Sequence, residues 1–379
     1  MSPALRLGAV GFGLIAVCYG FARFAFGLFL PQIDSDLALG STLAGVIAGG
    51  SFLSYCIAIV ASAYLTERVG PRAVSVGAAL VAAAGMAGIA LAPDALSLAG
   101  AVMLAGSSTG LASPPMAVAV AAAVRRDRQD ATNTVINAGT SAGVALSGPI
   151  ALLIGGQWRL AFVAFAVVAL GLAVAAARSI PAAPGRSGAA AGVIPPIDSN
   201  VARLIGAAFL MGAASTALWS FGGKLATLRL GWEATGIGAL WVAIGAAGIT
   251  GGGAGALVSR FGIDRVHWVF LATMAAGILE AGASFATPVT TLGGGALFGA
   301  AYVMLTGVYL VWGVTALPHR PATGLMVAFL TIAIGQTVGA PVFGFLLEQF
   351  GPDYAVVSFA CLGLVAGLAR ANRVVAQLR

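Results

Sequence analysis

The chain has 379 residues, a mean hydropathy of +1.01 and only 8% charged residues. A water-soluble protein of this length needs far more charge to cover its surface, so composition excludes a soluble globular domain and points to an integral membrane protein. The formal net charge of +7 does not read as nucleic-acid binding, because the basic residues lie in short loops between apolar spans and form no single soluble face.

Apolar runs between charged or Pro/Gly breaks predict roughly twelve membrane-spanning helices, at 7–30, 43–65, 72–92, 96–124, 132–155, 159–178, 203–225, 234–258, 266–286, 291–315, 323–347 and 355–372. The first run has no small-residue cleavage site at its end and reads as a retained helix. It carries Arg23, placed by these bounds about 10 Å inside the hydrocarbon at 1.5 Å per residue. An arginine there costs on the order of 2.5–3.5 kcal/mol on insertion scales, so it must face water, a partner or a ligand. Tyr19, Arg23, Phe26 and Leu30 share one helical stripe. An arginine between aromatics suits a carboxylate or phosphate, whose oxygens match its two parallel N–H groups. The other reading is a structural clamp onto a neighbouring helix, or a snorkelling side chain.

Further along, Pro114 and Pro115 predict a kink in the fourth span, which offers Ser107 and Ser108. The fifth offers Asn133, Asn137 and Thr140 on one side. Residues 179–200 are rich in Ala, Gly, Pro and Ser and read as a linker. The seventh span carries Ser215 and Trp219 on one face, with Lys224 near its end. Glu280 in the ninth is read as an acid well inside a span, hence a candidate for proton coupling. The tenth carries Phe298, Tyr302, Leu305, Tyr309 and Trp312 on one face, and the eleventh carries Gln336. Each polar residue alone also fits interhelical packing. Cys18, Cys56 and Cys361 sit in apolar stretches, as buried small hydrophobes. Both histidines, His267 and His319, fall at helix ends, and no spacing reads as a metal or cofactor site. Gly251 to Gly255 has a dinucleotide-like pattern but follows no strand.

With the N-terminus in the cytoplasm, 15 of the 19 Lys and Arg residues fall on the inner side, which fixes both termini there. The halves repeat. Residues 63–72, ending Glu67-Arg68-Val69-Gly70-Pro71-Arg72, match 255–265, with Arg260, Gly262 and Arg265. Asp130 to Asn133 matches Pro321 to Gly324, and Gly139 to Gly143 matches Gly335 to Gly339, all at offsets near 192. That is a parallel duplication of a six-helix unit: 1–178, a linker at 179–200, and 201–379.

Six spans, a linker and six spans, with the loop signature after span two, resemble the major facilitator superfamily. Arg68, Gly70 and Arg72 fit the G-x-L-A-D-R-x-G-R-R pattern, Glu67 stands for its Asp, and Ser259 replaces the acid in the second copy. The resemblance implies an all-α membrane fold of two pseudo-symmetric six-helix bundles, with spans one, four, seven and ten lining a central cavity. It also implies a conformational latch at Glu67, Arg68, Gly70, Arg72, Arg260 and Gly262. Residues 19–27, followed by Leu30-Pro31, look like the bacterial YbfB/YjiJ-type branch. Gly143, Gly148 and Pro149 resemble an exporter motif, whereas span four lacks the embedded arginine of drug/proton antiporters.

These readings converge on a secondary transporter of the cell inner membrane, monomeric, with no enzymatic activity. It moves a small polar or anionic solute by alternating access, with protons as a candidate coupling ion. The candidate solute contacts are Arg23, Tyr19, Phe26, Trp219, Tyr302, Tyr309, Asn137 and Gln336. Proton-driven export of drugs or metabolites is the alternative within transport. A membrane sensor or lipid-processing enzyme is the alternative outside it, disfavoured by short loops and the lack of a catalytic cluster.

Overall fold

A computed structural model describes residues 3–182 and 198–371, so the central part of the expected linker and the last residues lie outside the described residues. Every regular element among the described residues is helical. Nine helical stretches among them are long and apolar enough to cross a membrane. Two of these fold back at a glycine, Gly70 (φ 83°, ψ 162°) and Gly351 (φ 84°, ψ 171°), and so supply two passes each. With Ile263–Gly282 the total among the described residues is twelve.

In chain order these are α1 (Ala4–Leu37), α2 (40–69), α3 (71–91), α4 (Ala95–Ala123), α5 (Arg126–Leu153) and α6 (Trp158–Ser179). The second half comprises α7 (199–230), α8 (Ala234–Phe261), α9 (Ile263–Gly282), α10 (Pro288–Ala316), α11 (321–350) and α12 (352–368). In lipid each backbone N–H and C=O must be satisfied within its own segment, which is why apolar stretches of this length fold as helices.

The repeat is visible in local geometry. Gly262 (φ 82°, ψ 157°) turns α8 into α9 in the same backbone conformation in which Gly70 turns α2 into α3. A side chain at that φ is strained, so glycine is required. Asp94 and Thr287 start α4 and α10 with reciprocal capping boxes to Ser97 and Thr290. The Ser97 N–H and hydroxyl hold the Asp94 carboxyl below its usual range. Gly139 and Gly143 of α5 lie against the backbone of α1 at Phe12 and Ala16, and Gly335 and Gly339 of α11 lie against α7 at Phe209 and Ala213. A methyl group at any of these four would meet backbone, so small residues let the helices touch.

The two loops of the signature also do one job. Arg72 Nε donates to the Ile180 carbonyl at 2.6 Å, tying the α2–α3 turn to the exit of α6. Asp264 Oδ1 accepts from the Ala371 N–H at 2.8 Å, tying the α8–α9 turn to the exit of α12.

The halves meet mainly through α2 on α11, α5 on α8, and the latter part of α1 on the end of α7. Gly45 faces Ala340, Gly344 faces Ser41, and Gly148 faces Gly238. Lys224 Nζ pairs with Asp34 at 2.7 Å, and Glu348 accepts from the Thr42 N–H at 2.7 Å. These glycine contacts and polar pairs lie on the side remote from the basic loops at 68–72, 125–128 and 260–265, hereafter the far end, while α2 and α11 stay in contact past the middle, where Tyr55, Cys56 and Ile59 pack with Ala333.

Several sequence expectations are corrected. The first helix does not stop at 30 but runs on through Pro31 to Leu37. The seventh breaks at Ser220–Phe221 and resumes over Gly222–Leu230. The prolines expected to kink the fourth span, Pro114 and Pro115, lie inside a helix that is continuous over Ala95–Ala123. The Leu111 carbonyl, robbed of its helical donor by Pro115, accepts from Ser62 Oγ of α2 at 3.1 Å. Cys361 is exposed on α12, whereas Cys18 and Cys56 are buried.

Candidate functional site

Arg23 lies 14 residues from Leu37 and 19 from Ala4, about 21 Å and 28 Å along the helix at 1.5 Å per residue. It therefore lies nearer the middle of its helix than the first-span bounds implied, because α1 is longer than its apolar run. Over Ala16–Phe24 the helix widens into π-helical pairing, a rare form frequent at functional sites. Arg23 is 7% exposed, and no carboxylate pairs with it among the described residues.

Two kinds of contact hold this charge. Its Nη2 donates to Gln336 Oε1 of α11 at 2.8 Å, a buried bond between the two halves. Its guanidinium carbon lies 4.5 Å from the Tyr55 ring centre, 4.7 Å from Phe52, 5.3 Å from Phe24 and 5.8 Å from Tyr19. Aromatic faces carry negative quadrupole potential and partly replace the water an arginine loses on burial. Gln336 is oriented in turn, because its Nε2 donates to Ser215 Oγ and to the Tyr302 hydroxyl, each at 3.2 Å. Tyr19 is tied to Ser113 of α4 at 3.0 Å. Residues from α1, α2, α4, α7, α10 and α11 thus form one polar centre in an apolar bundle.

Trp219 closes its far-end side. It stacks on Phe24 at 4.1 Å and meets Tyr302 and Phe298 edge-on at 5.1 and 5.4 Å. Between Arg23, Phe26, Ser51, Phe52, Trp219 and Ser220 is a recess of about 10 Å³. Four buried polar atoms of these residues have no hydrogen-bond partner among the described residues: Arg23 Nε, Ser51 Oγ, Trp219 Nε1 and Ser220 Oγ.

Of the sequence candidates, Arg23, Tyr19, Phe26, Trp219, Tyr302 and Gln336 come together here. Tyr309 does not: its hydroxyl meets His267 Nε2 at 2.8 Å and donates to the Ala207 carbonyl at 3.2 Å, inside the second half. Trp312 bonds Asn200 at 2.9 Å in the same region. The aromatic face of α10 thus divides, its early part serving the centre and its later part packing. Asn137 is exposed nearer the basic-loop end of α5. Glu280 is not well inside its helix: it lies two residues before the end of α9, beside Gly293 and Gly294 of α10. Glu67 is exposed and makes no ion pair among the described residues, while Arg68 lies 4.3 Å over the Tyr64 ring and Arg260 5.2 Å over Phe261. Ser51, Phe52, Tyr55, Ser113 and Ser220 were not foreseen. A spacing in α2 of Ser51, Tyr55 and Ser62, at i, i+4 and i+11, was the available signal: one polar stripe on an apolar helix.

None of the curated proteins matches the chain in sequence. Solved structures match its fold closely. The nucleoside transporter NupG superimposes with a TM-score of 0.74 at 14% identity, over 97% of this chain and 98% of that one. The inward-open xylose transporter XylE from E. coli gives 0.78 at 14% identity, over 96% and 95%. The human organic anion transporter MFSD10 (TETRAN) gives 0.66 at 18% identity, over 97% and 100%. At these identities the likeness is one of fold. The sequence itself matches the family model described as Major Facilitator Superfamily over residues 12–340. This chain, with twelve helical passes among its described residues and a buried polar centre between its halves, therefore belongs to the Major Facilitator Superfamily of membrane transporters.

Proposed function

We propose that the protein is a secondary active transporter that carries a small polar or anionic solute across the cytoplasmic membrane by alternating access, with Arg23 and Gln336 at the centre of its solute site. The observation that carries this reading is the bond from Arg23 to Gln336: a buried, uncompensated positive charge is held between the two halves that must move apart. A solute anion that takes Gln336's place on the guanidinium couples binding to the contact between the halves, which is what alternating access requires.

The units are 1–178 and 201–379, joined by 179–200, and the working protein is a monomer. With the basic loops in the cytoplasm, as the distribution of arginine favours, the far end faces outward. The Asp34–Lys224 pair and the α2–α11 contact then close the outer side, and the conformation is inward-facing. Residues 19–27 support the YbfB/YjiJ-type branch. Glu280, at the far end of α9, is retained as a residue to test for proton coupling, and the signature loops as a latch formed in the opposite state.

The solute is found by comparing, without preselection, the small molecules of cells with and without the protein. Flux of that solute into proteoliposomes then tests the mechanism. Arg23→Ala is expected to abolish flux while the protein still inserts and purifies normally. Undiminished flux in that variant overturns the site, and a protein that moves no solute overturns the transport reading.

A further inference from the structure

We infer that the recess beside Arg23 is a subsite for one carboxylate, and that the transported solute is a monocarboxylate whose anionic end it holds. This rests on the reading of Arg23 as the solute centre and names the substrate class.

The recess is polar in an unusual way. Arg23 Nε and Trp219 Nε1 can only donate hydrogen bonds, and Ser51 Oγ and Ser220 Oγ can donate as well. All four residues are more than nine-tenths buried, at 7%, 3%, 3% and 2% exposed for Arg23, Ser51, Trp219 and Ser220. Leaving such donors unmade in an apolar interior is costly, and native structures rarely do so without a reason. Among the described residues no carboxylate and no side-chain carbonyl lines this recess, so its complement is a group rich in acceptors.

Charge narrows the class. Arg23 is the one ionisable residue lining the recess among the described residues, so a bound monoanion is matched and a dianion is left with one uncompensated charge in low dielectric. Volume narrows it again. About 10 Å³ holds a single oxygen-sized group. One carboxylate oxygen enters between Ser51, Ser220 and Trp219, and the other stays on the guanidinium, where it competes with Gln336. Tetrahedral oxyanions, with further oxygens to place, meet Phe26 and Phe52 instead. The solute's remaining atoms need space that opens as the halves move, beside the mainly apolar lining of Phe26, Ala48, Phe52, Val102 and Trp219, which favours an apolar or lightly hydroxylated body.

The test uses the purified full-length protein in detergent, with thermal stability and tryptophan fluorescence as readouts. Propionate is titrated against propionamide, inorganic phosphate and sulfate. Propionate is expected to raise the melting temperature saturably, and the other three are expected to have no effect at equal ionic strength. Ser51→Ala and Ser220→Ala are expected to weaken propionate by about tenfold each, the scale of one hydrogen bond to a charged group. Trp219→Phe removes the donor together with part of a ring packed on Phe24, Phe298 and Tyr302, so it is read as the propionate-induced rise above its own unliganded melting temperature, and that rise should need a similarly higher propionate concentration. Equal responses to propionamide and propionate, a preference for phosphate or sulfate, or full propionate affinity in both serine variants would each overturn the subsite. Solute flux separates this inference from the one beneath it. A neutral or cationic solute carried in an Arg23-dependent way refutes the carboxylate and leaves the transporter intact, whereas a parental protein that moves no solute refutes the transporter.

Discussion

Arg23 and Gln336 stand or fall together. Replacing Gln336 with Leu strands a buried guanidinium N–H, at an expected cost of about 1–3 kcal/mol, read as a lower melting temperature in detergent. Replacing it with Glu has the opposite sign for stability, because the new carboxylate pairs with Arg23, yet it fills the place of an anionic solute. Gln336→Glu is therefore expected to keep or raise the melting temperature and to lose uptake, and normal uptake by that variant would contradict the competition between Gln336 and solute. The sequence made Arg23 legible because a charge within an apolar run is expensive and conspicuous. It placed the residue too near the end of the helix, because hydropathy falls at Gln32, Asp34 and Asp36 before the helix ends. Ser51 and Ser220 carried no comparable signal: a serine costs little in a helix, and only the folded bundle shows which hydroxyls remain unpartnered.

At the level of helices, apolar run length and loop charge located every pass, since lipid leaves the backbone few alternatives. Gly70 and Gly262 were readable as turns from the repeated loop. The packing roles of the other glycines were readable only in part. The four-residue spacing at 139/143 and 335/339 announced close approach without naming the partner helix. Gly344 shows what such an approach controls. Its Cα faces the Ser41 carbonyl of α2, a backbone atom that cannot swing aside. Gly344→Val is expected to separate α2 from α11 at the far end, so that a cysteine introduced nearby at Thr42 is labelled faster by a membrane-impermeant reagent. Gly255→Ala, on a part of α8 with open space around it, is the control and should label at the parental rate.

For the molecule as a whole, the far end is held by modest forces. The Asp34–Lys224 pair is only about one-fifth exposed on each side, so the desolvation of both charges offsets much of their attraction and its net contribution is small. That suits a closure that must open in every cycle. Asp34→Cys with Lys224→Cys, in a Cys361→Ser background, is expected to form a disulfide under oxidation that stops flux, and reduction should restore it. Continued flux with the cross-link complete would place the moving closure elsewhere. Two-fold internal repetition was legible from three short matches, whereas the state in which the halves rest was not, since both states use the same helices and differ only in which ends touch.

The ties at the exits of α6 and α12 mark how far the two copies have drifted. In the first, an arginine offers a proton to a carbonyl; at the corresponding place in the second, an aspartate receives one from an amide. The junction has survived duplication with its polarity inverted. Exchanging Arg72 and Asp264 would set like against like at both places, so the ancestral module can no longer be swapped piecemeal between its descendants.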